Sequence, residues 1–287
     1  MNSDSASMGD PQAAGSAKRP LIHRQFLSTR LTHWIWAFSL FFLLLSGLQI
    51  FNAHPALYIG DQSGFTFDNA VLRIGAERTS DAGRIGYTEI FGTKFETTEW
   101  LGLYRDGNGI IQSSAFPGWM TIPSFYDLAT GRVVHFFFAW IFAITLLAWL
   151  IASIFNGHLR RDILPRWRDL SALPRDIANH VRLRFHHKRD YNILQKLSYA
   201  GVLLVLMPLM IATGLAMSPG FNSAAPWLVE ILGGRQTART IHFATMLLLV
   251  GFFVIHILMV LAAGPLNELR SIVTGWYRTD AAEKEGR

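Results

Sequence analysis

Polar and apolar positions along the chain separate into four long uncharged runs. They cover 31–52 between Arg30 and Asp61, 133–159 between Arg132 and Arg160, 197–229 between Lys196 and Glu230, and 240–267 between Arg239 and Glu268. Each supplies the roughly 20 apolar residues that a helix needs to cross a bilayer, where a run of about 10–14 would have read as a buried core helix. The pattern predicts an all-α membrane protein: a bundle of four transmembrane helices over 21–52, 130–156, 191–216 and 238–264. Trp34 and Trp36 near the head of the first helix fit interface depth, and Pro208 within the third predicts a kink.

Between the spans the character changes. Residues 1–20 are small and polar and predict a disordered tail; with no apolar run before a small-residue site they do not read as a signal peptide. Residues 53–129 form a long insert with short alternating fragments such as GFTFDNAVLRIG, which predicts a compact extramembrane unit with some β-hairpin character, able to serve as a docking platform. The connector 157–190 is basic, 217–237 is a short loop, and 265–287 predicts an interfacial helix followed by disorder.

Composition and charge then fix an orientation. The chain is 51% hydrophobic with a net charge of +6. Nine Lys and Arg fall in the connector, four in the amino-terminal arm up to Arg30 and four after Gly264, against five in the insert and one in the second loop. Lys and Arg stay on the cytoplasmic side of short loops. Both termini and the connector are therefore expected in the cytoplasm, with the insert in the periplasm or an equivalent outside. The basic connector serves topology and anionic lipid, and no exposed element points to nucleic acid. Cysteine is absent, which removes disulfides, thiolate ligands, iron–sulfur clusters and covalent c-type haem.

Ten histidines carry the remaining chemistry. His242 and His256 lie 14 residues apart on the last span, within about 40° of one helix face and roughly 21 Å apart along the axis. Three spans repeat an arginine three residues before a histidine: Arg30 and His33, Arg132 and His135, Arg239 and His242. With the predicted topology, His135 and His242 share the outer side and His33 and His256 the inner side. Two facing imidazoles in an apolar bundle fit a bis-histidine b-type haem, and the arginines fit haem propionates. The inner pair requires the first helix to begin earlier, near Gln25, or the last to tilt. Gly47, 14 residues after His33, would let a bulky planar group approach. A hydrogen-bonded structural role, a zinc or copper site and a proton relay are the alternatives; two ligands plus two do not supply a tetrahedral site, and the spans lack carboxylates. His23, His54, His158, His180, His186 and His187 read as solvated or headgroup-facing.

RLTHW opening the first span, the early histidine of the second, and RTIHF with a histidine 14 residues on resemble the bacterial cytochrome b561 and Ni,Fe-hydrogenase-type di-haem cytochrome b family, which includes the membrane subunits of formate dehydrogenase and thiosulfate reductase. The resemblance implies that the four histidines ligate two haems b. It also implies electron transfer between a periplasmic catalytic subunit, of the molybdopterin oxidoreductase or hydrogenase type, and the quinone pool. It places a quinone near Tyr191, Asn192 and Gln195, residues that serve equally well as a helix cap. The long insert resembles the subgroup that accompanies sulfite-oxidase-type molybdoenzymes. A stand-alone quinone-dependent superoxide oxidase, similar to the same family, is the competing function, and a haem-free transporter is disfavoured by the lack of an inverted repeat.

Overall fold

The computed structural model describes residues 20–64, 67–80, 83–182 and 192–279. Four helices in it are long and apolar enough to cross a membrane: Leu27–Asn52, Leu128–Phe155, Ile193–Met217 and Arg235–Ala263. The first (α1), second (α2) and last (α8) are continuous, and two short helices, α6 (Pro219–Ala224) and α7 (Pro226–Ile231), precede α8. The third is composite: α4 (Ile193–Ala200) runs into a π-helical stretch at Gly201–Leu206 and then into α5 (Met207–Met217). Pro208 has no N–H to give the carbonyl of Leu204 and its ring crowds that turn, so the widened turn immediately before it accommodates the proline within a helix that still spans 25 residues.

Within the bundle α1 packs on α2, and α5 on α8. Trp36, Phe142, Leu146, Trp149, Met207 and Leu249 form the core between them. Lipid is as apolar as these side chains, so packing and hydrogen bonds such as Trp36 Nε1 to Thr145 Oγ1 (3.0 Å) hold the helices together more than burial does. The outer faces stay apolar and uncovered; on α2, Phe137, Trp140, Ile144, Leu147 and Ile154 follow one another down the lipid side.

The chain is not all-α. The insert carries a four-stranded antiparallel sheet in the order β2 (Ala56–Tyr58), β3 (Ala70–Thr79), β4 (Gly83–Ile90), β5 (Thr93–Glu96), and a two-stranded ribbon of β6 (Tyr104–Arg105) and β7 (Ile111–Gln112). The cause is the period-2 side-chain alternation of a strand. One face, with Ile74 and Leu57, packs on Leu48 and Phe51 at the end of α1 and on Phe116. The other bears a row in which Arg73 pairs with Glu89 and Glu89 with Lys94 in register. Three side-chain bonds tie the insert to the head of α8, beside two backbone bonds to Gly60 O: Gly60 N donates to Thr237 Oγ1 (2.7 Å), Thr240 Oγ1 to Tyr58 O (2.7 Å), and Arg239 Nη2 to His54 O (2.5 Å). His54 is exposed and stacked on Tyr58, and partial burial followed by the nearby Arg239 charge lowers its pKa below the ordinary 6.5.

A second sheet joins the two ends. β1 (Leu21–His23), which lies inside the segment expected as helix, pairs antiparallel with β8 (Trp276–Arg278). Gly264, at φ 110, ends α8 and Pro265 opens α9 (Pro265–Thr274), turning the chain back toward the start of α1.

The connector holds α3 (Leu173–Val181) and one correction. His158 is not solvated: it is 2% exposed, lies between the rings of Phe26 (5.4 Å) and Trp149 (6.3 Å), and its Nδ1 is 2.7 Å from Asp162 Oδ2. The tight turn after α2 folds the imidazole back under the bundle. His186, His187 and Tyr191 lie outside the described residues, as does the side chain of His180.

Candidate functional site

Four histidine rings meet in two pairs, each bridging one helix pair to the other. His135 of α2 faces His242 of α8 with ring centres 6.4 Å apart and planes at 60°. His33 of α1 faces His256 of α8, also at 6.4 Å, at 55°. The first pair lies at the insert side and the second at the α9 side. α1 begins at Leu27, well before Arg30, and that extra turn brings His33 to the depth of His256.

The insert-side rings are held alike. Ser46 Oγ donates to the carbonyl of Phe42 (2.6 Å), which leaves its oxygen to accept from His135 Nδ1 (3.1 Å). Thr213 Oγ1 donates to Leu209 O (2.7 Å) and accepts from His242 Nδ1 (2.9 Å). Each hydroxyl proton is committed to the carbonyl four residues back, as Ser and Thr in apolar helices do. The only hydrogen left for each contact is on the imidazole. Both histidines are thereby fixed as Nδ1–H tautomers, and each Nε2 keeps its lone pair.

Beside each hydroxyl is a glycine. A Cβ on Gly47 would stand 3.3 Å from His135 Cε1, and one on Gly214 would stand 3.5 Å from His242 Cε1. Ser46–Gly47 on α1 and Thr213–Gly214 on α5 are thus equivalent notches, each seating one ring and fixing its proton. At the α9 side, Phe252 stacks on His256 (5.7 Å, 19°) and Trp34 stands edge-on to His33 (5.4 Å). The Nδ1 of His33 is buried with no partner among the described residues.

Two metal–imidazole bonds of about 2 Å, plus about 1.1 Å from each nitrogen to its ring centre, would place two rings roughly 6.2 Å apart across one ion. Both pairs have that spacing, the insert-side tautomers leave Nε2 available, and no group of three or more His, Asp or Glu converges elsewhere among the described residues. Two axial imidazoles with no further protein ligand suit a macrocycle that supplies the equatorial four. The residues fit haem.

The three arginines before the histidines differ from one another. Arg239 holds His54 O and lies over the Phe51 ring (5.6 Å). Arg132 is exposed, over Phe136 (5.6 Å). Arg30 gives Nη2 to Val273 O of α9 and keeps a buried, unpartnered Nε. Asn192 and Gln195 close a capping box on α4: Asn192 Oδ1 accepts from Gln195 N (2.8 Å) and Gln195 Oε1 from Asn192 N (3.2 Å). Their oxygens serve the helix, and only the amide NH2 groups remain for a ligand.

A membrane bundle whose facing histidines match bis-imidazole spacing is the architecture of a membrane b-type cytochrome. The chain belongs to the prokaryotic cytochrome b561 family, whose model matches residues 24–275, and membership implies haem b. Among individual proteins, it is 25% identical over 241 residues, 83% of this chain and 89% of the other, to a protein of Azospira oryzae named as a protein-methionine-sulfoxide reductase subunit, YedZ1.

Proposed function

We propose that the chain is a di-haem cytochrome b that passes electrons between quinone and a periplasmic catalytic subunit across the bacterial inner membrane. The observation that carries this reading is the pair of histidine couples at one spacing, on a helix that separates them by roughly 21 Å of rise. Bound haem would supply reversible one-electron chemistry at each couple. His135 and His242 present Nε2 from tautomers set by Ser46 and Thr213. His33 and His256 would hold the second haem at the α9 side, and the apolar walls exclude water. The basic connector supports cytoplasmic termini and a periplasmic insert. The insert then lies over the His135–His242 couple, where a partner would exchange electrons, and the similarity to a reductase subunit supports flow outward from quinol. Asn192 and Gln195 mark the inner end of the third span, where a quinone would dock through their remaining amide groups.

Reduced-minus-oxidised spectra of the purified chain test this directly, with two low-spin b haems expected. His242→Ala should remove the insert-side haem alone, and loss of both or neither would count against the assignment. Superoxide-driven quinone reduction by the isolated chain would instead favour the stand-alone oxidase.

A further inference from the structure

Five buried polar atoms without partners among the described residues come from two elements in contact, the first turns of α1 and α9. Thr29 Oγ1, Arg30 Nε and His33 Nδ1 come from α1, and Arg270 Nη1 and Ser271 Oγ from α9. Ser271 is 2% exposed. The two helices touch here through the bond from Arg30 Nη2 to the Val273 carbonyl, one turn along α9 from Arg270. Leaving such groups unpaired is costly, more so when charged, so a local concentration of them calls for a ligand. Their chemistry specifies which kind. Arg30 and Arg270 make no ion pair among the described residues, and Thr29 and Ser271 add hydroxyls, so the cluster offers donors and positive charge to an oxyanion. Glu268, on the same helix, accepts from the Tyr277 hydroxyl (3.2 Å), with the Arg24 guanidinium 4.3 Å from the Tyr277 ring centre.

Thr29 and Arg30 precede His33 by one helical turn, toward the membrane surface. An amphiphilic macrocycle ligated by His33 and His256 must turn its carboxylates toward charge and away from lipid. We propose that Thr29, Arg30, Arg270 and Ser271 anchor the propionates of that haem, which makes α9, outside the four-helix bundle, part of the cofactor site. This rests on the di-haem reading. The terminal ribbon β1–β8 holds α9 in place, through the paired strands and through Asn267, which bonds Arg278 in both directions (2.9 Å each).

The test uses the full chain in lipid nanodiscs, with haem content from the pyridine haemochrome, redox titration, and native mass spectrometry of bound lipid. Arg270→Gln and Ser271→Ala should each weaken retention of the α9-side haem, about tenfold for the charged contact. Arg270→Gln should also lower its potential, because propionate charge left unneutralised favours the ferric state. Arg270→Lys should restore much of both. The insert-side haem should keep its spectrum and potential, which controls for misfolding. If His33→Ala removes one of two haems while Arg270→Gln leaves occupancy and potential unchanged, the anchor is wrong and the di-haem reading stands. If Arg270→Gln strips an anionic lipid and spares the haem, a phosphate headgroup takes the site and the proposal falls. If the wild-type chain carries one haem and His33→Ala changes nothing, the functional reading itself fails.

Discussion

Thr213 and Ser46 decide which nitrogen of each insert-side histidine carries the proton, and under the proposed haem ligation that choice sets which nitrogen is free to bind. Outer-shell partners of metal-bound histidines are worth about 10–100-fold in affinity. Thr213→Val keeps the shape and removes the acceptor 2.9 Å from His242 Nδ1. It should weaken haem retention at that couple by about this factor, read as faster loss to apomyoglobin, with the α9-side haem unaffected. The glycines allow a finer comparison. Gly47→Ala brings a Cβ to 3.3 Å from His135, tighter than ordinary contact, whereas Gly214→Ala reaches 3.5 Å from His242. The first should broaden or shift the insert-side α-band more than the second. The histidines were legible from spacing alone. The notches were not, although the sequence holds their signal: SGL in the first span and TGL in the third, one hydroxyl and one glycine at each of two helix positions. A single Gly47 is indistinguishable from ordinary helix packing, and only the facing rings pair it with Gly214.

The connector makes a pH-dependent element. Burial raises the Asp162 pKa, but hydrogen bonds from Arg161 and His158 outweigh it, and the carboxyl titrates below its ordinary 3.8. A depressed carboxylate stabilises the fold above the unfolded value and loses that contribution as pH falls through the folded one. The latch under α2 should therefore hold at neutral pH and loosen only in acid below about 3.8. Asp162→Asn should make the 157–166 segment protease-sensitive at pH 7, and equal sensitivity of the wild-type segment at pH 7 would refute the latch. His158 read as a solvated residue because it sits among basic side chains in sequence. Its burial arises from a turn that no periodicity announces. The third span was legible as a span and Pro208 as its irregularity, but a proline signals that a turn must change, and the π-helical form comes from the packing around it.

At the scale of the molecule, two helix pairs are joined through their histidines, with a sheet over one end and a β-ribbon at the other. The four spans were legible because uncharged runs of bilayer length have few alternative readings. The sheet was only hinted at, since its strands alternate between a face on α1 and a charged face, and most of their residues are half-buried. The orientation is open to a simple check because the chain has no cysteine of its own. Thr93→Cys in β5 should react with a membrane-impermeant maleimide in intact spheroplasts, and Ala178→Cys in α3 only after lysis. The reverse pattern would invert the proposed path of the electrons.

The ribbon of β1 and β8 sets an order of assembly. Its strands are 21–23 and 276–278, so it closes only after both and everything between them have left the ribosome. Contacts this remote in sequence form late. The insert-side couple needs nothing beyond His242, whereas the α9-side site also waits for α9 and the strand that pins it. A chain truncated after Gly264 should therefore load the first haem and be deficient in the second. In the cell, the half-filled protein would be the species that accumulates whenever haem supply lags behind synthesis.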